Sequence, residues 1–282
     1  MVVFLWCVLI YPITPKPFLS LDYFHLLTIT LASGLAGFID SIVGGGGLIM
    51  VPSLFAAYPS AAPPSLLGTN KAASVWGTAF ASWVYSKKVT LPLRGLLMGG
   101  VCALIGSFCG AWCVTLVPAT SFKAALPIVL LALLIYTLLK KDLGQIHSPK
   151  FTAQQEAIRL GFIGALIGYY DGFFGPGTGS FFVFLLVRWL GFDFLHASAG
   201  AKILNTASNS AALILFTFQG FVWWYLAIPL AIANVLGSFL GTRLALKKGA
   251  SFVRYFFIII VSLLILKTSS DFIWPQIKDL II

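Results

Sequence analysis

Apolar stretches of about 20 residues follow one another along this chain with short polar breaks between them, and that is the length a helix needs to cross a hydrocarbon core about 30 Å thick. Leu96 to Val117, Phe122 to Leu139, Leu226 to Leu246 and Tyr255 to Leu266 with its flanks are examples. Only 9% of the 282 residues are charged and 59% are hydrophobic, against about 25% charged in a soluble domain. The chain therefore reads as an all-α polytopic membrane protein, with the bilayer as its solvent.

That setting removes several function classes. The net charge of +10 does not point to nucleic acid, because the Lys and Arg residues lie mostly in short loops where headgroups and topology account for them. Cys102, Cys109 and Cys113 share one apolar segment without a nearby histidine, and Cys7 stands apart, so neither a disulfide framework nor a zinc site is indicated. No Cys–His pair, G-x-S-x-G elbow or P-loop is present. An enzyme, a cofactor and a metal are all unexpected, and an ion gradient is a simpler energy source than a nucleotide module on another chain. His25 and His196 read as interfacial and His147 as a loop residue. Met1 to Tyr11 lacks the basic n-region and cleavage site of a secretory signal.

One pattern is written twice. Gly37, Asp40, Gly44 and Gly46 fall on Gly168, Asp171, Gly175 and Gly177, a register of 131 positions (171 − 40). Without a gap, Lys71 falls on Lys202, and Gly106, Ser107, Phe108 and Gly110 fall on Gly237, Ser238, Phe239 and Gly241. Charged residues are rare here, so the Asp and Lys matches carry most of the weight. The organisation is a lead-in (1–21), a first transmembrane repeat (22–139), a cytoplasmic linker (140–156), a second transmembrane repeat (157–270) and a C-terminal tail (271–282).

Each half reads as about five segments: 22–41, 47–58, 66–86, 94–117 and 121–139, then 157–173, 178–190, 197–218, 222–243 and 252–270. The second of each set is short for a span and reads as a tilted half-helix. Cytoplasmic loops are enriched in Lys and Arg, so Lys87, Lys88 and Arg94 place their loop inside. Counting each segment as one crossing then puts the basic linker and the loop with Arg243, Lys247 and Lys248 inside too. An odd number of crossings per half makes the repeats inverted, as in many secondary transporters.

With the charges near segment ends counted to the two membrane faces, the topology leaves four charged residues within the membrane: Asp40, Lys71, Asp171 and Lys202. Each costs at least about 2.5 to 3.5 kcal/mol in lipid, so they should face a protein interior or a water-filled cavity. The functional reading is that the lysines draw an anionic solute while an aspartate takes and releases a coupling proton, with Asp171, flanked by Tyr170 and the Gly-Pro-Gly break, preferred over Asp40. Solute that competes for a lysine would change the proton affinity of its aspartate. The structural alternative is that each Asp pairs with a Lys and fixes the packing of its half. Beside the aspartates lie Gly44, Gly45, Gly46 and Gly47, and Gly175, Pro176, Gly177, Thr178 and Gly179. Such runs break a helix, and the N–H groups freed at the start of the next helix suit an anion. Thr69, Asn70, Asn205 and Asn209 add donors near the lysines. Close helix packing and interhelical hydrogen bonding are the alternatives for these small and polar residues.

At these motifs the chain resembles the TauE/SafE family of membrane transporters, often called sulfite exporters. The likeness rests on Gly37-Phe38-Ile39-Asp40-Ser41 followed by Gly44 to Gly47 and Pro52, and on Gly68-Thr69-Asn70-Lys71. In the second half it rests on Tyr170-Asp171-Gly172-Phe173-Phe174-Gly175-Pro176-Gly177-Thr178-Gly179 and Ala201-Lys202-Ile203-Leu204-Asn205. It runs from about residue 22 to 270. The resemblance implies transport of sulfite, sulfonates or related sulfur-containing or organic anions across the cytoplasmic membrane. The residues by themselves reach a small anion with a proton as candidate coupling ion, leaving an anion channel and a non-transporting assembly factor as alternatives.

Overall fold

The computed structural model describes residues 23–122, 125 and 151–281, so the lead-in 1–21, nearly all of segment 121–139 and most of the linker lie outside the described residues. Among the described residues there is no strand. The helices are α1 (Tyr23–Val43), α2 (Gly47–Ala57), α3 (Pro63–Ser86), α4 (Leu93–Thr115), α5 (Ala153–Phe173), α6 (Thr178–Leu185, continued by a π turn over Leu186–Leu190), α7 (Phe194–Phe218) and α8 (Trp224–Ile281). Gly249, with φ 74°, divides α8 into two helical pieces. The starts of α2, α3 and α4 precede those of α6, α7 and α8 by the same 131 residues (178 − 47, 194 − 63, 224 − 93).

Local chemistry sets boundaries that periodicity left loose. Pro63 and Pro64 occupy the first turn of α3, where a missing N–H is harmless, so the helix starts before the expected residue 66. A capping box between Thr152 and Gln155 starts α5 at Ala153, inside the expected linker. The Asp193 carboxylate accepts from the N–H groups of Leu195 and His196 at 2.8 and 2.9 Å and so caps α7, while His196 Nδ1 lies 2.6 Å from its other oxygen.

Among the described residues three helices are long and apolar enough to cross a membrane: His25–Val43, Leu93–Thr115 and Trp224–Gly249. The helices α3, α5 and α7, of 24, 21 and 25 residues, match them in length and carry the polar groups. Contacts fix their directions. Ser33 Oγ donates to Leu230 O at 2.8 Å, and Gly241 faces Phe38 and Ser41, so α1 and α8 run parallel. Gly164, Gly168 and Gly172 meet the carbonyls of Gly99, Ala103 and Ser107, so α4 and α5 do as well. A Cβ on any of these three glycines would sit 2.0 to 2.4 Å from a carbonyl oxygen, which is how small residues let membrane helices approach closely. By contrast α3 and α7 run antiparallel, with Gly68 against Phe216 and Lys71 against Asn209.

The short helices do not continue the helices before them. Gly46 lies against Ala36 and Asp40, and Ile29 and Leu54 belong to one buried cluster, so α2 doubles back along α1. In the second half Tyr170 meets Phe181 and Phe162 meets Trp189, with ring centroids 5.3 and 6.0 Å apart, so α6 doubles back along α5. At 1.5 Å per residue, the 11 residues of α2 cover about 16 Å, half a hydrocarbon core. Each pair is a helical hairpin, which replaces the expectation of two separate crossings for these segments.

Candidate functional site

The hairpins meet tip to tip. Gly44 (φ 83°), Gly175 (φ 85°) and Gly177 (φ 78°) are left-handed, a conformation that glycine adopts without the Cβ penalty. At the crossing, a Cβ on Gly44 would fall 2.1 Å from the carbonyl carbon of Gly179. Across the same contact, the backbone N–H of Ser180 donates to Gly44 O at 3.0 Å, and its hydroxyl donates to Val43 O at 3.1 Å.

The four intramembrane charges gather at these tips, and each pair joins the two halves. Lys71 Nζ lies 2.6 Å from Asp171 Oδ1 and donates to Asn209 Oδ1 at 2.8 Å. Lys202 Nζ lies 3.0 Å from Asp40 Oδ2 and also donates to the backbone carbonyl of Asp40. Pairing within a half, the structural alternative read from sequence, is therefore replaced by pairing between α3 and α5 and between α7 and α1. Thr78 Oγ1, 3.3 Å from Asp40 Oδ2, adds a further contact.

Between the pairs lies a cavity of about 30 Å³, the scale of one or two water molecules. Of the residues expected from sequence, Asp40, Gly46, Asn70, Lys71, Asp171, Thr178, Asn205 and Asn209 line it. The others stand outside the lining. Lys202 is fully buried behind Asp40, the Thr69 hydroxyl accepts from the N–H of Trp223 at 3.1 Å, and Gly45 and Gly177 belong to the turns. Sequence reading did not single out Ser74, Thr78 or Asn234, which also line the cavity. Ser74 and Thr78 follow Lys71 by three and seven residues on one helical face, a signal that was available. The lone amide of Asn234, in an apolar span, was another.

The first turns of α2 and α6 open on this cavity through Gly47, Thr178 and Gly179. Of their leading N–H groups, those of Leu48, Ile49, Thr178 and Ser180 already donate to the carbonyls of Gly45, Gly46, Gly175 and Gly44, but both positive dipole ends converge on the space beside Lys71. Three lining residues carry buried side-chain oxygens without a hydrogen-bond partner: Asn70 Oδ1, Asp171 Oδ2 and Asn205 Oδ1. Among the described residues no group of His, Cys, Asp and Glu could hold a metal ion, and Cys102, Cys109 and Cys113 are free thiols.

A family model described as Sulfite exporter TauE/SafE matches residues 29–268, a range that contains this whole arrangement. The chain belongs to the TauE/SafE family. It is 38% identical over 252 residues to a probable membrane transporter protein, ORF9, of a Sinorhizobium species, covering 88% of this chain and 94% of that one. It is 35% identical over 238 residues to the probable membrane transporter protein YfcA of Escherichia coli K12, covering 84% and 87%. A probable membrane transporter protein of Haemophilus influenzae is 33% identical over 257 residues, covering 88% and 96%. No solved structure matches this TauE/SafE chain. A membrane transporter is thus the family-level function.

Proposed function

We propose that this TauE/SafE protein is a secondary transporter that moves a small anion across the cytoplasmic membrane, using two inverted repeats that hold one solute site between their hairpin tips. The observation that carries the reading is the convergence of Lys71 and the first turns of α2 and α6 on one cavity. The antiparallel course of the register-equivalent helices α3 and α7 supports the inversion. With Lys87, Lys88, Arg243, Lys247 and Lys248 inside, the α1–α2 hairpin dips from outside and the α5–α6 hairpin from the cytoplasm. Sulfite is the solute that the family description brings forward.

Driving force enters through an aspartate. Asp40 is 15% exposed whereas Asp171 is 2% exposed, so Asp40 is the accessible carboxylate and takes the coupling proton. The test is accumulation in proteoliposomes: the native protein concentrates anion against its gradient when a proton gradient is imposed, and Asp40→Asn exchanges anion without concentrating it. Equilibration alone by the native protein would make it a channel, and no flux would make it an assembly factor. Concentration by both Asp40→Asn and Asp171→Asn would remove the aspartates from coupling.

A further inference from the structure

The cavity asks for hydrogens as well as for negative charge. Asn70, Asp171 and Asn205 are 4%, 2% and 5% exposed, they come from three different helices, and each has a side-chain oxygen without a partner. A buried acceptor left unpaired is expensive, so whatever fills the cavity must present donors to these oxygens. Turning over either amide would exchange its acceptor for a donor, but a carboxylate has no such choice. Asp171 Oδ1 is taken by Lys71 at 2.6 Å, and Oδ2 of the same carboxylate faces the demand alone.

Two kinds of ligand fail this requirement. A bare metal cation would satisfy the oxygens, but it would sit beside the Lys71 ammonium and two helix N-termini, all of which repel it. A fully deprotonated oxyanion suits the lysine and the N-termini yet sets its lone pairs against Asp171 Oδ2. An anion with an O–H of its own meets both sets. Resting on the transport reading above, we propose that the solute is a small oxyanion bound in its hydrogen-bearing form, its O–H donated to Asp171 Oδ2 and its charged oxygens facing Lys71 and the first turns of α2 and α6. The cavity volume of about 30 Å³ favours one compact group over a long-chain sulfonate. Asp171 then selects the solute's protonation state, a role separate from that of Asp40.

The test uses matched monoanions that differ in the O–H: hydrogensulfite against methanesulfonate, and hydrogencarbonate against nitrate. Stabilisation of the purified full-length protein against heat reports binding to the folded state. The O–H member of each pair should bind roughly tenfold or more tightly, because its partner leaves a buried acceptor unpaired. Sulfite should lose affinity by a similar factor above the second ionisation of sulfurous acid, while methanesulfonate stays unchanged across that range. Asp171→Asn, which offers an amide donor, should erase or reverse the preference. Should Asp171→Asn not fold, Asn205→Ala removes one acceptor without touching an ion pair and should narrow it. Equal binding of both members of each pair overturns this inference and leaves the transport reading standing, as does stabilisation by sodium ions alone. If no anion of either kind stabilises the protein or enters vesicles, both readings fall.

Discussion

The two ion pairs occupy equivalent positions in the 131-residue register, yet their removal should have different consequences. Replacing one member of a buried pair strands the other charge and costs about 3–5 kcal/mol, whereas replacing both members is often nearly neutral. Lys202→Met strands Asp40, which is 15% exposed and keeps the Thr78 hydroxyl nearby, so its cost belongs at the lower end, about 3 kcal/mol. Lys71→Met strands Asp171, which is 2% exposed and already has one oxygen without a partner, so its cost belongs at the upper end, about 5 kcal/mol. At roughly 2–4 °C per kcal/mol for chains of this size, Lys202→Met should lower the melting temperature in detergent by about 6–12 °C. The double variant Asp40→Asn with Lys202→Met should recover most of that loss, the excess measuring the coupling between the two side chains.

Transport separates the pairs further. Lys202 stands outside the cavity lining and Lys71 within it, so the Asp40→Asn, Lys202→Met double variant should still exchange anion across vesicles without a proton gradient. The corresponding Asp171→Asn, Lys71→Met variant should not. A melting temperature unmoved by Lys202→Met would refute the reasoning, as would a double variant no more stable than the single one. Loss of exchange in a folded Asp40→Asn, Lys202→Met protein would place Lys202 in the solute path and dissolve the distinction.

Further outcomes follow from the hairpins. Gly44→Ala forces φ 83° on an L side chain and pushes its Cβ to 2.1 Å from the backbone of Gly179, so the tip contact should part and transport should stop. Gly220→Ala, at φ 74° with nothing within 4 Å, should cost only about 1–2 kcal/mol and leave transport intact. With the native cysteines replaced, a thiol at Ser60 should react with an impermeant reagent from outside and one at Lys88 only from the cytoplasm; the reverse labelling would invert the topology.

Much of this layout was legible because charge is rare in an apolar chain. The register of Asp40 and Lys71 on Asp171 and Lys202 exposed the duplication, and the glycine runs marked where α1 and α5 break, since positive φ at Gly44 and Gly175 is what such residues permit. The doubling back of α2 and α6 was not legible. A run of 11 residues is short whether it continues the preceding helix or returns along it, and only the contacts of Gly46 with Ala36 and Asp40 decide. The partner choice of each lysine was hidden for a related reason. Burial in lipid says that Lys71 needs an anion, but Asp40 and Asp171 satisfy that need equally until helix directions bring the tip of one half against the other.

The lining of the cavity also shows how the two halves have diverged around their shared register. At equivalent register positions Asn70 stands opposite Ala201, Ser74 opposite Asn205, Thr78 opposite Asn209, and Ala103 opposite Asn234. The backbone contacts are nearly copied: Ser107 Oγ donates to Ser208 O and Ser238 Oγ donates to Gly77 O, both at 2.6 Å. The polar side chains are not copied. Around the cavity beside Lys71 they give four amides, Asn70, Asn205, Asn209 and Asn234, and an unpartnered carboxylate oxygen, whereas Lys202 is turned onto the last turn of α1, where its charge meets the negative end of that helix. Duplication thus supplied two lysines and two aspartates at the hairpin tips, and divergence of their neighbours left one lysine facing the cavity and the other bracing its wall.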